Sequence, residues 1–264
     1  MTTPVKLHFR EYGDPNNPTV IILHGLFGMS DNWHTVSLKL ADEFHVINVD
    51  LRNHGDSPWA EPMTYEAMAQ DVAQLIKELN LSEVSIIGHS MGGKVAMHYA
   101  LNGGCQTLRS LVVVDIAPVE YPDNETHLKI LDLLEKLPLE QFSSRGQIVQ
   151  WLSQYLPTYI AHLIAKNVKR DPNGKFRLVL NVNAIRKYYK ELRKAITGTP
   201  CNKPTLFAIG EKSPFMKEDY KPIIKQLFPH SLFVTIKDAG HWVHSEKTEV
   251  FLDVVKNFLR QTWK

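Results

Sequence analysis

Gly88-His89-Ser90-Met91-Gly92 sets a hydroxyl between two glycines, with the apolar run Val84-Ser85-Ile86-Ile87 before it and a helix-compatible segment after it. The pattern suits a nucleophile carried on an abrupt strand-to-helix turn. Such a turn strains the backbone of the serine, and side chains two residues to either side would collide. Ser90 is therefore the candidate nucleophile. Five-residue patterns recur by chance, so the weight here comes from the strand before it and the helix after it. A nucleophilic serine also needs a base, an acid to orient that base, and donors for the oxyanion. His241 is the candidate base: it lies in Asp238-Ala239-Gly240-His241-Trp242, just past the last strand pattern, where a loop can carry an imidazole back over the serine. His244 is the nearest rival, followed by His24 and His89.

The oxyanion donors can come from the backbone. His24-Gly25-Leu26-Phe27-Gly28 follows the second apolar strand, so an N–H of Leu26, or else of Phe27, can pair with that of Met91 around the tetrahedral oxygen. One such donor is worth roughly 3 kcal/mol of transition-state stabilisation. The same residues also suit a plain strand-to-helix turn.

These residues require a rigid frame, and the first 115 residues alternate strand and helix. Strands are expected over Val5–Tyr12, Thr19–His24, Phe44–Asp50, Val84–Gly88 and Leu108–Asp115, several of them continuous apolar runs of the kind covered on both faces of a sheet. Thr64 can cap a helix in which Met68, Val72, Leu75, Ile76 and Leu79 recur at helical spacing. Strand patterns return at Pro204–Gly210 and Leu232–Lys237. A final helix carries Val250, Phe251, Val254, Val255, Phe258 and Leu259 on one stripe. The fold class expected is α/β, a mostly parallel sheet with helices on both faces.

From Ala117 to Thr199 the alternation breaks. Helices are expected at His127–Leu137, Gly146–Leu156, Tyr159–Val168 and Asn183–Ile196, with Asp171-Pro172-Asn173-Gly174 as a turn between the last two. Residues 117–199 thus read as a helical lid inserted into a core of residues 1–116 and 200–264. In an open α/β sheet the crevice lies beyond the carboxyl ends of the strands, so the insertion would cover Ser90. Phe27, Trp151, Tyr188 and Trp242 are candidate pocket residues, and each also suits ordinary core.

The 264 residues are 44% hydrophobic and 22% charged, with a net charge of +2, which suits a globular protein and gives no reason to expect nucleic acid. No apolar run is long enough to span a bilayer. Met1–Arg10 lacks the apolar stretch of a secretory signal, which points to the cytoplasm. Cys105 and Cys201 are too few for a disulfide framework and lack metal-ligand spacing, so both are expected as plain thiols. Oligomeric state is not legible.

Together, His24-Gly25-Leu26-Phe27-Gly28, Asp50-Leu51-Arg52-Asn53-His54-Gly55-Asp56-Ser57, Gly88-His89-Ser90-Met91-Gly92-Gly93-Lys94, Asp115-Ile116-Ala117-Pro118 and Gly240-His241-Trp242-Val243-His244 resemble an α/β-hydrolase. More narrowly they resemble the YbfF-type bacterial esterases, to which abhydrolase domain-containing protein 11 is related. The likeness runs over nearly the whole chain and is weakest in the lid. In most of that superfamily the acid follows the strand after the lid, in a pattern like G-x-x-D. Here Gly210-Glu211-Lys212-Ser213 puts a serine in that place, and a serine cannot stabilise an imidazolium. The resemblance to the YbfF-type group implies Asp115, at the end of the preceding strand, as the acid. An aspartate there can instead cap a helix or pin the first turn of the lid, and Glu211 is the reserve candidate.

The expected chemistry is acyl transfer to water. Ser90 attacks a carboxylic ester, or an acyl-CoA thioester, of short to medium chain; His241 shuttles the proton; Asp115 fixes the imidazole. No cofactor or metal is called for. A C–C hydrolase or lyase on the same three residues, and a non-catalytic ligand receptor, are the rival classes. Two further features are ambiguous. His54 resembles a base but also suits a loop that hydrogen-bonds itself into shape, and Lys94 can tune the site or simply be solvated or ion-paired. Between Lys166 and Lys194, ten Lys/Arg stand against Asp171 and Glu191, a net +8 that would draw in an anionic substrate unless it is a solvated face.

Overall fold

The computed structural model describes residues 3–264. Met1 and Thr2, where the Met1–Arg10 segment and the first core unit begin, lie outside the described residues. The chain runs β1 (Phe9–Tyr12), β2 (Thr19–Leu23), α1 (His34–Leu40), β3 (His45–Val49), α2 (Tyr65–Glu78), β4 (Val84–His89), α3 (Met91–Tyr99) and β5 (Leu108–Val114). After an inserted segment it resumes as β8 (Thr205–Gly210), α8 (Lys221–Leu227), β9 (Ser231–Ile236), α9 (Val243–Glu246) and α10 (Thr248–Thr262). The seven strands of these stretches form one sheet in the order β1-β3-β2-β4-β5-β8-β9. Every pairing in it is parallel except β1 against β3. Every residue of β2, β3 and β4 is buried, as continuous apolar runs sandwiched between helices require.

The strands reach the same carboxyl edge because they are parallel, and the reactive loops leave from that edge. The covering helices follow their stripes. The Thr64 hydroxyl accepts the Ala67 N–H at the start of α2, whose Met68, Val72, Leu75 and Ile76 are buried. In α10, Phe251, Val255, Phe258 and Leu259 are buried, whereas Val250 at the margin of the stripe is 49% exposed.

The insertion between β5 and β8 holds α4 (Glu125–Glu135), α5 (Arg145–Leu152), α6 (Thr158–Ala165) and α7 (Val182–Arg193). It also holds a feature that was expected as the end of one helix and a loop: β6 (Val168–Arg170) pairs antiparallel with β7 (Phe176–Leu178) across the Asp171-Pro172-Asn173-Gly174 turn. Three-residue strands are too short to show a period in sequence. Apolar side chains of the insertion, among them Leu131, Ile148 and Ile164, share one continuous core with the sheet.

The cysteines correct a second expectation. Cys105 and Cys201, 96 positions apart in the sequence, are joined in a disulfide, so neither is a plain thiol. Their distance along the chain concealed the pairing. A bridge closing so long a loop is worth on the order of 4–5 kcal/mol through the entropy of the unfolded chain. Among the described residues, no helix is long and apolar enough to cross a membrane.

Candidate active site

The turn from β4 into α3 leaves no room for side chains. A Cβ on Gly88 would lie 2.4 Å from the Gly92 carbonyl oxygen, and one on Gly92 would lie 2.3 Å from that of Leu23. Ser90 itself sits at φ 51°, a left-handed conformation that costs a non-glycine residue of order 1–3 kcal/mol. It is held there by its N–H, which donates to Val114 O at the end of β5.

Three side chains from different loops meet above this turn. His241 Nε2 lies 3.0 Å from Ser90 Oγ, and His241 Nδ1 lies 2.6 Å from Asp115 Oδ2. With Nδ1–H donating to the carboxylate, Nε2 is free to accept the serine proton. Asp115 is 1% exposed and accepts two further donors, the Gly210 N–H at 3.0 Å and the Ser213 hydroxyl. Ser213 thus stands where the sequence lacks an acid, and its hydroxyl touches the carboxylate that comes from β5. Glu211 lies apart: it is exposed and accepts the Asp238 N–H. Phe215 stacks on the His241 ring with centroids 4.1 Å apart, and His89 Nε2 donates to the His241 carbonyl at 2.9 Å.

The rival histidines have structural partners. His244 is stacked on Trp33 at 3.9 Å, and His24 accepts the Leu51 N–H while donating to Gly25 O. His54 donates from Nδ1 to Arg52 O and accepts the Phe27 N–H at Nε2, 3.3 Å away. The self-bonded loop therefore extends to the neighbouring turn. It is anchored by a buried pair, Arg52 against Asp71 at 2.6 and 2.7 Å.

The bond to His54 occupies the Phe27 N–H, which leaves Leu26 as the donor available from this turn. The Leu26 N–H meets no acceptor among the described residues, and that of Met91, as the first residue of α3, has no intrahelical partner. The turn lies against the nucleophile: a Cβ on Gly25 would come within 3.3 Å of Ser90 Cβ.

Ser90 opens onto two cavities. The larger, about 680 Å³, is lined by His241, Trp242, Phe27, Tyr159 and Leu163 among others. The smaller, about 290 Å³, is lined by Met91, Ile116, Tyr65, Tyr121 and Tyr189 and is not lined by His241. Of the four expected pocket residues, Phe27 and Trp242 line the larger cavity. Trp151 and Tyr188 line neither. Trp151 packs on Phe142 and Tyr155, and Tyr188 faces Lys187 and Glu61, because those helix faces turn away from Ser90.

His127 of α4 lines both cavities and was not anticipated. Its Nδ1 is paired with the Tyr189 hydroxyl, and burial lowers it to about 4, so it is a neutral ring near neutral pH. Lys94 is neither solvated nor ion-paired. Its ammonium donates to the carbonyls of Val119, Arg193 and Lys194, which ties both ends of the insertion to α3, and burial lowers it to about 7. Six of the ten basic residues between 166 and 194 face carboxylates: Lys166 to Asp31, Lys169 to Asp56, Arg186 to Asp132 and Glu135, Lys187 to Glu61, Arg193 to Asp123 and Lys194 to Glu191. Folding thus neutralises most of the anion-attracting field expected from the count of charges.

Burial pushes both His54 and His244 down to about 3, against an ordinary 6.5. Below pH 6.5 the unfolded chain takes up protons that the folded chain refuses. The stability these rings contribute is therefore complete above pH 6.5 and is lost progressively as the pH falls towards 3, by about 2 kcal/mol per ring at pH 5. Thermal unfolding should show a marked drop in Tm between pH 7.5 and pH 5. The drop should be smaller in His244→Phe, whose ring can still stack on Trp33; an equal drop in that variant would refute the assignment for His244.

A sequence profile of the alpha/beta hydrolase fold matches residues 18–248. The chain is 34% identical over 259 residues to the mouse protein named sn-1-specific diacylglycerol lipase ABHD11, an alignment covering 94% of this chain and 82% of that one. It is 32% identical over 245 residues to esterase YbfF of Escherichia coli K12, covering 92% and 94%. A solved structure described as a marine microorganism esterase superposes with a TM-score of 0.92 at 38% identity, covering 96% of this chain and 99% of that one.

Proposed function

Because this chain belongs to the α/β-hydrolase family, we propose that it is a carboxylic ester hydrolase working through an acyl-enzyme on Ser90. The observation that carries this reading is the unbroken hydrogen-bonded series from Ser90 Oγ through His241 to Asp115 at the wall of a cavity. His241 takes the serine proton and returns it to the leaving oxygen, Asp115 stabilises the imidazolium, and the N–H groups of Leu26 and Met91 receive the oxyanion. Residues 117–199 are the lid.

The two cavities divide the substrate. His241 must reach the leaving group, and it lines only the larger cavity, so the alcohol departs there. The acyl chain then lies in the smaller one, which has room for on the order of ten non-hydrogen atoms at ~30 Å³ each. Short to medium acyl chains follow. Thioesters of coenzyme A are weaker candidates, since so much of the basic segment is paired within the fold. The cytoplasmic setting expected from the sequence belongs to this reading, and the Cys105–Cys201 bond is the observation that pulls against it.

A series of p-nitrophenyl esters tests the reading. Turnover should be fast from acetate to about octanoate and should fall sharply beyond about ten carbons. Absence of turnover with every ester would favour a receptor or a C–C hydrolase. A maximum at palmitate would overturn the division between the cavities.

A further inference from the structure

Phe27 occupies an uncomfortable position. Residues Gly25 to Gly28 form a four-residue turn closed by the Gly28 N–H on Gly25 O at 3.0 Å, with Phe27 at its third position and φ 65°. A positive φ at that position marks a type II turn, which ordinarily takes glycine or asparagine there. For phenylalanine it costs about 1–2 kcal/mol, and the related type I turn, reached by rotating the peptide between Leu26 and Phe27, is the natural alternative. Something must hold the costlier form.

Both polar groups of Phe27 are gripped. Its N–H donates to His54 Nε2, from the core, and its carbonyl accepts Asn167 Nδ2 at 2.8 Å, from the lid. Asn167 lies between α6 and β6 and is 0% exposed. It is itself tied down: its N–H and Nδ2 both donate to Ile164 O, and its carbonyl accepts the Val179 N–H at 2.8 Å. Its Oδ1 has no partner, so this buried amide is placed for what its nitrogen reaches.

We infer that Asn167 is a positioning residue through which the lid holds the oxyanion turn in its working form. The Leu26–Phe27 peptide, which rotates between the two turn types, carries the Phe27 N–H held by His54, and the following peptide carries the Phe27 carbonyl held by Asn167. With both peptides of Phe27 pinned, the turn cannot relax from its strained φ and the Leu26 N–H that precedes it keeps its direction; the Phe27 carbonyl is the lid's share of that hold. The inference rests on the serine hydrolase reading, and it adds that the seating of the lid and the formation of the oxyanion hole are a single event.

Asn167→Ala should lower kcat for p-nitrophenyl butyrate by about 10- to 100-fold with little change in KM, because the donor acts in the transition state rather than in binding. Affinity for a trifluoromethyl ketone, whose bound form is a tetrahedral oxyanion, should fall by a similar factor. Phe27→Gly removes the conformational penalty, so in that background the further effect of Asn167→Ala should shrink to under about threefold. Asn167→Asp, of the same shape but with an acceptor facing the Phe27 carbonyl, repeats the test where the alanine variant does not fold. An unchanged kcat, a loss confined to KM, or an undiminished loss in the Phe27→Gly background would overturn the inference. Labelling of Ser90 by a fluorophosphonate separates the two claims: failure of the wild-type chain to label would sink the hydrolase reading itself, whereas normal labelling with unaltered Asn167 variants would sink only the role of the lid.

Discussion

Replacing Ser90 by alanine is expected to lower ester turnover by on the order of 10⁴-fold or more while leaving the melting temperature close to that of the parent chain. The size follows from what remains. The donors of the turn and of α3, the cavity walls and the His241–Asp115 pair would all stay in place, but no atom would be left to form the acyl bond. Alanine keeps the Cβ and accepts the backbone angles of the elbow about as well as serine, so the fold should not register the change. Steady-state rates with p-nitrophenyl butyrate, beside a thermal unfolding curve, check both halves. Residual turnover above about one per cent of the parent value would remove Ser90 from the mechanism.

Asp115→Asn is the second large effect, about 10³- to 10⁴-fold in kcat. The Asp115 carboxylate accepts from the Gly210 N–H, the Ser213 hydroxyl and the His241 Nδ1–H. An amide cannot accept from all three. If its NH2 turns to His241, the ring is driven into the tautomer whose Nε2 carries the proton and cannot take one from Ser90. Glu211→Gln should change kcat by no more than about twofold, because that side chain is at the surface holding the Asp238 N–H. The opposite ordering of the two variants would make Glu211 the acid.

The central strands were legible because runs such as Val20–Leu23 and Leu111–Val114 are continuous and aliphatic, and Val84–Gly88 followed by glycine-spaced Ser90 marks the elbow from local rules alone. Asp115 was reachable by a different route: Ser213 occupies the place where most α/β-hydrolases carry the acid, and the resemblance to the YbfF-type group implies the end of the preceding strand instead. Other features carry no local mark. One buried amide, Asn167, has no period or spacing that separates it from the solvated asparagines of the chain. Trp151 and Tyr188 show that an aromatic type does not reveal which way its helix face will turn. The basic segment reads as +8 in isolation, and the carboxylates that neutralise much of it, such as Asp31, Asp56 and Glu61, lie more than a hundred residues earlier. The cysteine pair is hidden for the same reason, since sequence patterning reports neighbours along the chain and folding creates neighbours in space.

The bridge between Cys105 and Cys201 encloses residues 117–199 entirely. A backbone cut anywhere in that segment therefore leaves β1–β5 and β8–β9 covalently attached to each other, and the two fragments part only under a reductant. The inserted segment can be severed without releasing the half that carries Ser90 from the half that carries His241.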